Sequence, residues 1–175
     1  MKNKLFTFFW HGPFSQWHKS EFCETQWDRS ELTFFCAEQF MMAKKAKLFH
    51  DYETFQKIMD STSPKQVKDL GREVKNFSQV IWDRYKFSIV YQGNLLKFMQ
   101  NDDLMKLLID TEDTILVEAS PYDKVWGIGL AEDDRDALDM NKWRGQNLLG
   151  KALTGVRDQL VCHDLYRECR PVSDN

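Results

Sequence analysis

The sequence predicts an α+β fold, mainly α-helical, built as a single compact domain with a small β-sheet. Three observations predict it. The 175 residues are 42% hydrophobic, enough for one well-buried core and too little for two comfortable domains. Apolar residues recur at helical spacing through most of the chain, while strand-like runs are few and short. No internal repeat, low-complexity segment or Pro/Gly/Ser linker interrupts it, so one domain covers 1–175, with its core over about 5–160.

Residues 4–10 and about 20–24 read as short strands, aromatic and β-compatible, on either side of Gly12-Pro13. The opening Met1 to Trp10 superficially resembles a signal peptide. Its apolar run is short, aromatic and closed by His11-Gly12-Pro13, so a first strand is expected instead. Phe34 to His50 is a strong helix, and Asp51 caps a short one through Met59. Ser63-Pro64 starts a helix that ends near Gly71, with Ser as cap and Pro at the first helical position. A long helix runs from about Ser78 to Gln100, with Ile81, Tyr85, Ile89, Leu95 and Met99 roughly on one face. Asp102 or Asp103 caps a short helix ending near Asp110. Thr114 to Glu118 is a buried strand finishing on a carboxylate, and a charged, glycine-containing loop covers 119–142. The last major helix is expected from about Arg144 to Leu160 or beyond, and 170–175 as a frayed tail.

Net charge is only −3, with both signs mixed throughout, which argues against a general DNA-coating protein. A phosphate-bearing substrate stays open, because a pocket needs only one or two placed cations. The four cysteines form no CxxC pair, no His falls at zinc-ligand spacing from them, and HExxH is absent, so neither a metal site nor a cofactor is expected. Sparse, unpatterned cysteine suggests reduced thiols and a cytoplasmic protein. No stretch reaches membrane-spanning length.

The most informative feature lies in the helix Phe34–His50. At about 100° per residue, Phe34, Met41, Met42, Lys45 and Phe49 fall within roughly 60° of Glu38. Gln39, Lys44, Lys47 and His50 are expected to point mostly toward solvent. Glu38 and Lys45 therefore sit two turns apart on the face that must be buried. A buried ion is costly unless paired. Either the two line a cavity, or they pair with another segment; a structural polar network, or a lysine whose amine snorkels out, also accounts for them. Burial raises a Glu pKa and lowers a Lys pKa. A neutral amine can attack an anomeric carbon and form a Schiff base, and a protonated carboxyl can donate to a departing nitrogen.

A second cluster runs from Glu118 through Asp123 to Trp126-Gly127-Ile128-Gly129. Two carboxylates flanking a Ser-Pro turn just past a strand end suit cleavage of a glycosidic bond. Trp126 can stack on a base. Gly127 and Gly129 permit close backbone approach to a ligand, or merely a tight turn. A third element, Trp143-Arg144-Gly145-Gln146-Asn147, opens the last helix. Arg144 near a helix N-terminus is an anion seat, and Asn147 either caps the helix or orients a ribose hydroxyl. Gly71-Arg72 at another helix end is a candidate for pyrophosphate contact, or a surface salt bridge.

Taken together, five blocks resemble the NADAR family, in the family's order, over roughly 5–160. They are Phe14-Ser15-Gln16-Trp17, Ala37 to Ala46, Leu70-Gly71-Arg72, Leu116 to Gly129 and Trp143 to Gly150. The resemblance implies a compact, mainly helical α+β domain and N-glycosidase activity. The leading expectation is removal of ADP-ribose from modified guanine in nucleic acid or nucleotides, opposing a guanine ADP-ribosyltransferase. Cleavage of a ribosylamino-pyrimidine phosphate of riboflavin synthesis is the alternative. The resemblance implies that Lys45 is the covalent amine with Glu38 beside it, and that Glu118, Asp123 and Trp126 complete the pocket. It leaves open which carboxylate protonates the base. Trp17 joins the binding residues through the first block. His11 departs from the small residue expected before that block and narrows the pocket mouth. A non-catalytic ADP-ribose reader using Trp126, Arg72 and Arg144, and a partner-neutralising protein, are the competing functions.

Overall fold

Alternating aromatic residues make the first strand. In the computed structural model, which describes residues 5–168, Phe6–Phe9 is β1 and Ile115–Glu118 is β4. They pair in parallel, with Phe6 opposite Ile115 and Phe9 opposite Glu118. The Thr7 and Thr114 hydroxyls, 107 residues apart in sequence, bond at 2.7 Å. Side chains alternate along a strand. Phe9 and Leu116 therefore enter the main core, while Phe6 and Val117 enter a smaller one with Ile128, Leu130 and Ala137. Glu118 shares the face of Leu116.

Among the described residues the small β component is two separate pairs. The second joins β2 (Phe22–Thr25) to β3 (Glu31–Phe34) in antiparallel register. The strand expected at 20–24 thus starts slightly later. β3 was hidden because Phe34 fits either a strand or the first turn of the following helix. In the structure its ring packs 5.7 Å from Phe22 across the hairpin and 5.1 Å from Phe40.

Among the described residues there are six α-helices: α1 (Ala37–Leu48), α2 (Tyr52–Met59), α3 (Pro64–Arg72), α4 (Gln79–Met99), α5 (Asp102–Ile109) and, after β4, α6 (Leu148–Glu168). Asp51 caps α2 by accepting from the Thr54 N–H at 3.1 Å. Ser78 likewise caps α4. Pro64 opens α3 as expected, although the Ser63 side chain makes no capping bond. The cap of α5 is Asn101, not an aspartate. Asp102 and Asp103 fill its first turn, where negative charge complements the helix dipole. α6 starts at Leu148 rather than near Arg144, because the preceding residues bond to the 124–128 loop. Gln146 N donates to Lys124 O at 2.9 Å and Asn147 N to Gly127 O at 3.1 Å. The 119–142 segment holds two 3₁₀ turns, 135–138 and 140–142. The tail expected to fray lies outside the described residues.

α1 packs against α2, α3, α4 and β3, so its first seven residues are all buried. This corrects the expected solvent face. Gln39 is an interior residue, accepting from Phe35 N at 2.9 Å and donating to Ile58 O at 3.0 Å. Phe40 lies so close to α4 that a Cβ at Gly93 would sit 2.6 Å from its ring. Of the others expected to face solvent, His50, just past the helix, is exposed, while Lys44 and Lys47 are half-buried. Lys44 pairs with Glu24 at 2.6 Å. Among the described residues no helix is long and apolar enough to cross a membrane.

Candidate active site

Glu38 is held in place from two sides. It occupies the first turn of α1, and its backbone N–H donates to Gln16 O at 2.9 Å. The loop bearing Gln16 is in turn pinned by α4. Lys97, fully buried, donates its amine to Pro13 O at 2.7 Å and Ser15 O at 3.1 Å. Asn94 donates to Gln16 Oε1 at 2.8 Å. Burial pushes the Lys97 amine down to about 7. Sequence reasoning missed Lys97, whose only signal is a lysine inside the apolar run Leu95-Leu96-Lys97-Phe98.

The pinned loop delivers Trp17, and Lys68 of α3 holds its amine 5.7 Å from the Trp17 ring centre. Glu38 is 4% exposed. Burial raises its carboxyl to about 7, helped by the charge of Asp123 and opposed by Lys68, the Trp17 side chain and Arg72. Glu118 ends β4. Burial, with the charges of Asp123 and Glu38 added, pushes its carboxyl up to about 8 against the pull of Lys68. Its Oε2 is buried without a hydrogen-bond partner. Orphaned buried polar atoms are rare and ask for a ligand or a function. Three carboxylates from three segments, Glu38, Glu118 and Asp123, thus lie within electrostatic reach of one another. The cation coupled to both glutamates is Lys68, which the sequence reading did not single out.

Asp123 is oriented by its own turn, its Oδ1 accepting from Val125 N and Trp126 N, each at 2.8 Å. Trp126 is partly buried against the main core. The glycines serve the loop's own packing. A Cβ at Gly127 would meet Glu118 O at 2.8 Å, and Gly129 has a φ of 69° beside Arg144 and Lys124. Asn147, 1% exposed, spends its amide on β4. Its Oδ1 accepts from Glu118 N at 3.0 Å and its Nδ2 donates to Leu116 O at 2.9 Å. The side chain therefore positions the Glu118 backbone instead of orienting a sugar or capping α6. Asn147→Ala leaves two buried strand groups unpaired. It is expected to cost roughly 2–4 kcal/mol in urea unfolding, and a loss below about 0.5 kcal/mol would contradict this role.

Lys45 is half-buried and not in bulk water. Its amine donates to Gly71 O at 2.6 Å, with the Phe77 and Trp82 ring centres 4.3 Å and 5.6 Å away. Burial lowers its pKa. Gly71 lies so tightly on α1 that a Cβ there would collide with Met42. Next to it, Arg72 is exposed, pairs with Asp69 at 3.2 Å, and still lowers the pKa of Glu38. Arg144 is exposed and belongs to the loop before α6, its N–H bonding Ile128 O at 2.9 Å, so the expected helix-terminus seat is not formed at that residue.

Comparison with known proteins places the chain in a family. The chain is 49% identical over 146 residues to an N-glycosidase of Acanthamoeba polyphaga mimivirus, covering 83% of this chain and 86% of that one. It is 35% identical to the Caenorhabditis elegans protein irg-1, covering 97% and 86%. The solution structure of Escherichia coli YbiA superposes with a TM-score of 0.74 at 24% identity, covering 97% of this chain and 91% of that one, a likeness of fold. Residues 8–161 match the NADAR domain, and the chain belongs to the NADAR family.

Proposed function

We propose that this chain hydrolyses an N-glycosidic bond, releasing ADP-ribose from a modified guanine in a nucleotide or nucleic acid. The observation that carries the reading is the Glu118 carboxyl, raised to about 8, with a buried and unpartnered oxygen beside Asp123 and Glu38. A carboxyl protonated at neutral pH is a general acid for a departing ring nitrogen. The N-glycosidase named among the relatives supports the reaction class.

In this reading the Lys45 amine, its pKa lowered by burial, gives up a proton to water, leaves the Gly71 carbonyl and attacks the anomeric carbon. The C–N bond to the base breaks, its electron pair leaves with the base nitrogen, and the Glu118 proton goes to that nitrogen. The new ribosyl ammonium returns a proton to Glu118. Ring opening then gives a Schiff base, the ring oxygen taking a proton, and water adds to the imine carbon, releasing ADP-ribose and free Lys45. The Asp123 carboxylate stabilises positive charge developing on the sugar. Lys68 and Arg72 supply the cations for a diphosphate.

The test offers ADP-ribosyl-guanosine, ADP-ribosyl-DNA and a ribosylaminouracil phosphate in parallel, with the separated sugar phosphate and its former base partner detected by mass spectrometry. Free ADP-ribose with unmodified guanosine or DNA from either of the first two is the expected result. Release only from the uracil compound shifts the substrate to the riboflavin-type intermediate. No cleavage of any, with tight ADP-ribose binding in calorimetry, makes the chain a reader.

A further inference from the structure

One cavity lies outside the carboxylate cluster and begins where that cluster ends. It measures about 990 Å³, and it opens past the paired ends of β1 and β4. Ala119, the residue after Glu118, forms part of its wall, its N–H bonded to Phe9 O at 2.8 Å. The rest of the wall is of two kinds. One is aromatic. Trp10 is 40% exposed and stacks on His11 at 4.7 Å between ring centres and 23° between planes; Tyr122, 5.9 Å from Trp10, lies outside the wall. The other is acidic, with the exposed carboxylates of Glu132 and Asp133.

Each feature narrows the occupant. Exposed flat rings favour a flat heterocycle, since base–aromatic stacking is stabilising for any base. Two carboxylates repel phosphate and accept hydrogen bonds, so the ligand edge meeting them must carry adjacent N–H donors. The cations suited to a diphosphate, Lys68 and Arg72, are on α3, and neither lines this cavity. A substrate whose glycosidic nitrogen lies at Glu118 therefore has its diphosphate toward α3 and its base beyond Ala119.

We propose that this cavity is the seat of the leaving base, a guanine-type purine stacked on Trp10, with its neighbouring ring and amino N–H groups donated to Glu132 and Asp133. The proposal rests on the N-glycosidase reading for its meaning but not for its measurement. His11, the departure from the family pattern, is here the ring that backs Trp10.

The experiment titrates the full chain with guanosine, and with adenosine as control, following the indole N–H resonances by NMR. Trp10→Phe identifies the Trp10 signal. Guanosine is expected to shift that signal saturably. Adenosine, which has an acceptor where guanosine has a ring N–H, is expected to bind at least about fivefold more weakly. Trp10→Ala and the double variant Glu132→Gln with Asp133→Asn should each weaken guanosine by about fivefold or more, with circular dichroism unchanged. Guanosine shifting Trp17 or Trp126 but not Trp10, equal binding of the two nucleosides, or indifference to both variants overturns the assignment. Normal base release with no guanosine effect at Trp10 removes this seat alone. Guanosine binding at Trp10 with no base release from any conjugate removes the hydrolase reading and leaves the seat.

Discussion

Lys45→Ala is expected to abolish base release while leaving the protein folded. The amine makes one described hydrogen bond, to Gly71 O, so truncation costs on the order of 1 kcal/mol of stability. Losing a covalent nucleophile removes the reaction path itself, and a rate loss of about 10³-fold or more follows. Base release by mass spectrometry and a thermal melt check the two halves. Borohydride reduction during turnover should leave a sugar adduct on the peptide containing Lys45. Normal turnover by the variant, or an adduct on Lys68 in its place, would overturn the assignment, because Lys68 is the amine whose charge reaches both glutamates.

The second large effect belongs to Glu118. Glu118→Gln keeps the shape and removes the proton, so kcat should fall about 10²- to 10⁴-fold. The pH profile separates an acid from a binding group. A general acid must be protonated, so wild-type kcat should decline as pH rises through about 8, the raised position of this carboxyl. Residual activity of the variant should lack that alkaline decline. Stability follows the same sign. Glu38 and Glu118 have folded pKa values of about 7 and about 8 against an ordinary 4.5. Their neutral forms favour the folded state, fully so below the ordinary value, and that contribution is lost as pH rises through 7 and 8. Glu118→Gln should therefore flatten the alkaline loss of stability in urea titrations at pH 6 and 9. An unaltered slope, or a variant with wild-type kcat, would remove Glu118 from the chemistry.

The carboxylates were legible in the sequence because each breaks a local rule. Glu38 lies among Phe40, Met41 and Met42, and Glu118 ends a run of β-branched and aliphatic residues. Lys68 breaks none. On a short helix with Gln66 and Asp69 beside it, it reads as an ordinary solvated lysine, and only the loop that α4 holds down brings Trp17 over it. Gln39 failed for the opposite reason. Amphipathic reasoning assumes one buried face, and α1 is enclosed by three helices and β3. The late start of α6 was hidden because Trp143 to Asn147 bond to a distant loop instead of to their own helix.

The parallel pairing of β1 with β4 has a consequence for how the enzyme comes into being. The two strands meet only after nearly all the helical chain between them has been made, so their contact is among the most sequence-distant in the molecule. Distant pairings carry a loop-closure cost and form slowly compared with helices. Helical signal should therefore return early on dilution from denaturant, with catalytic competence lagging behind it. During synthesis, Glu118 at the end of β4 can be set in place only once α6 has emerged to pack against that strand.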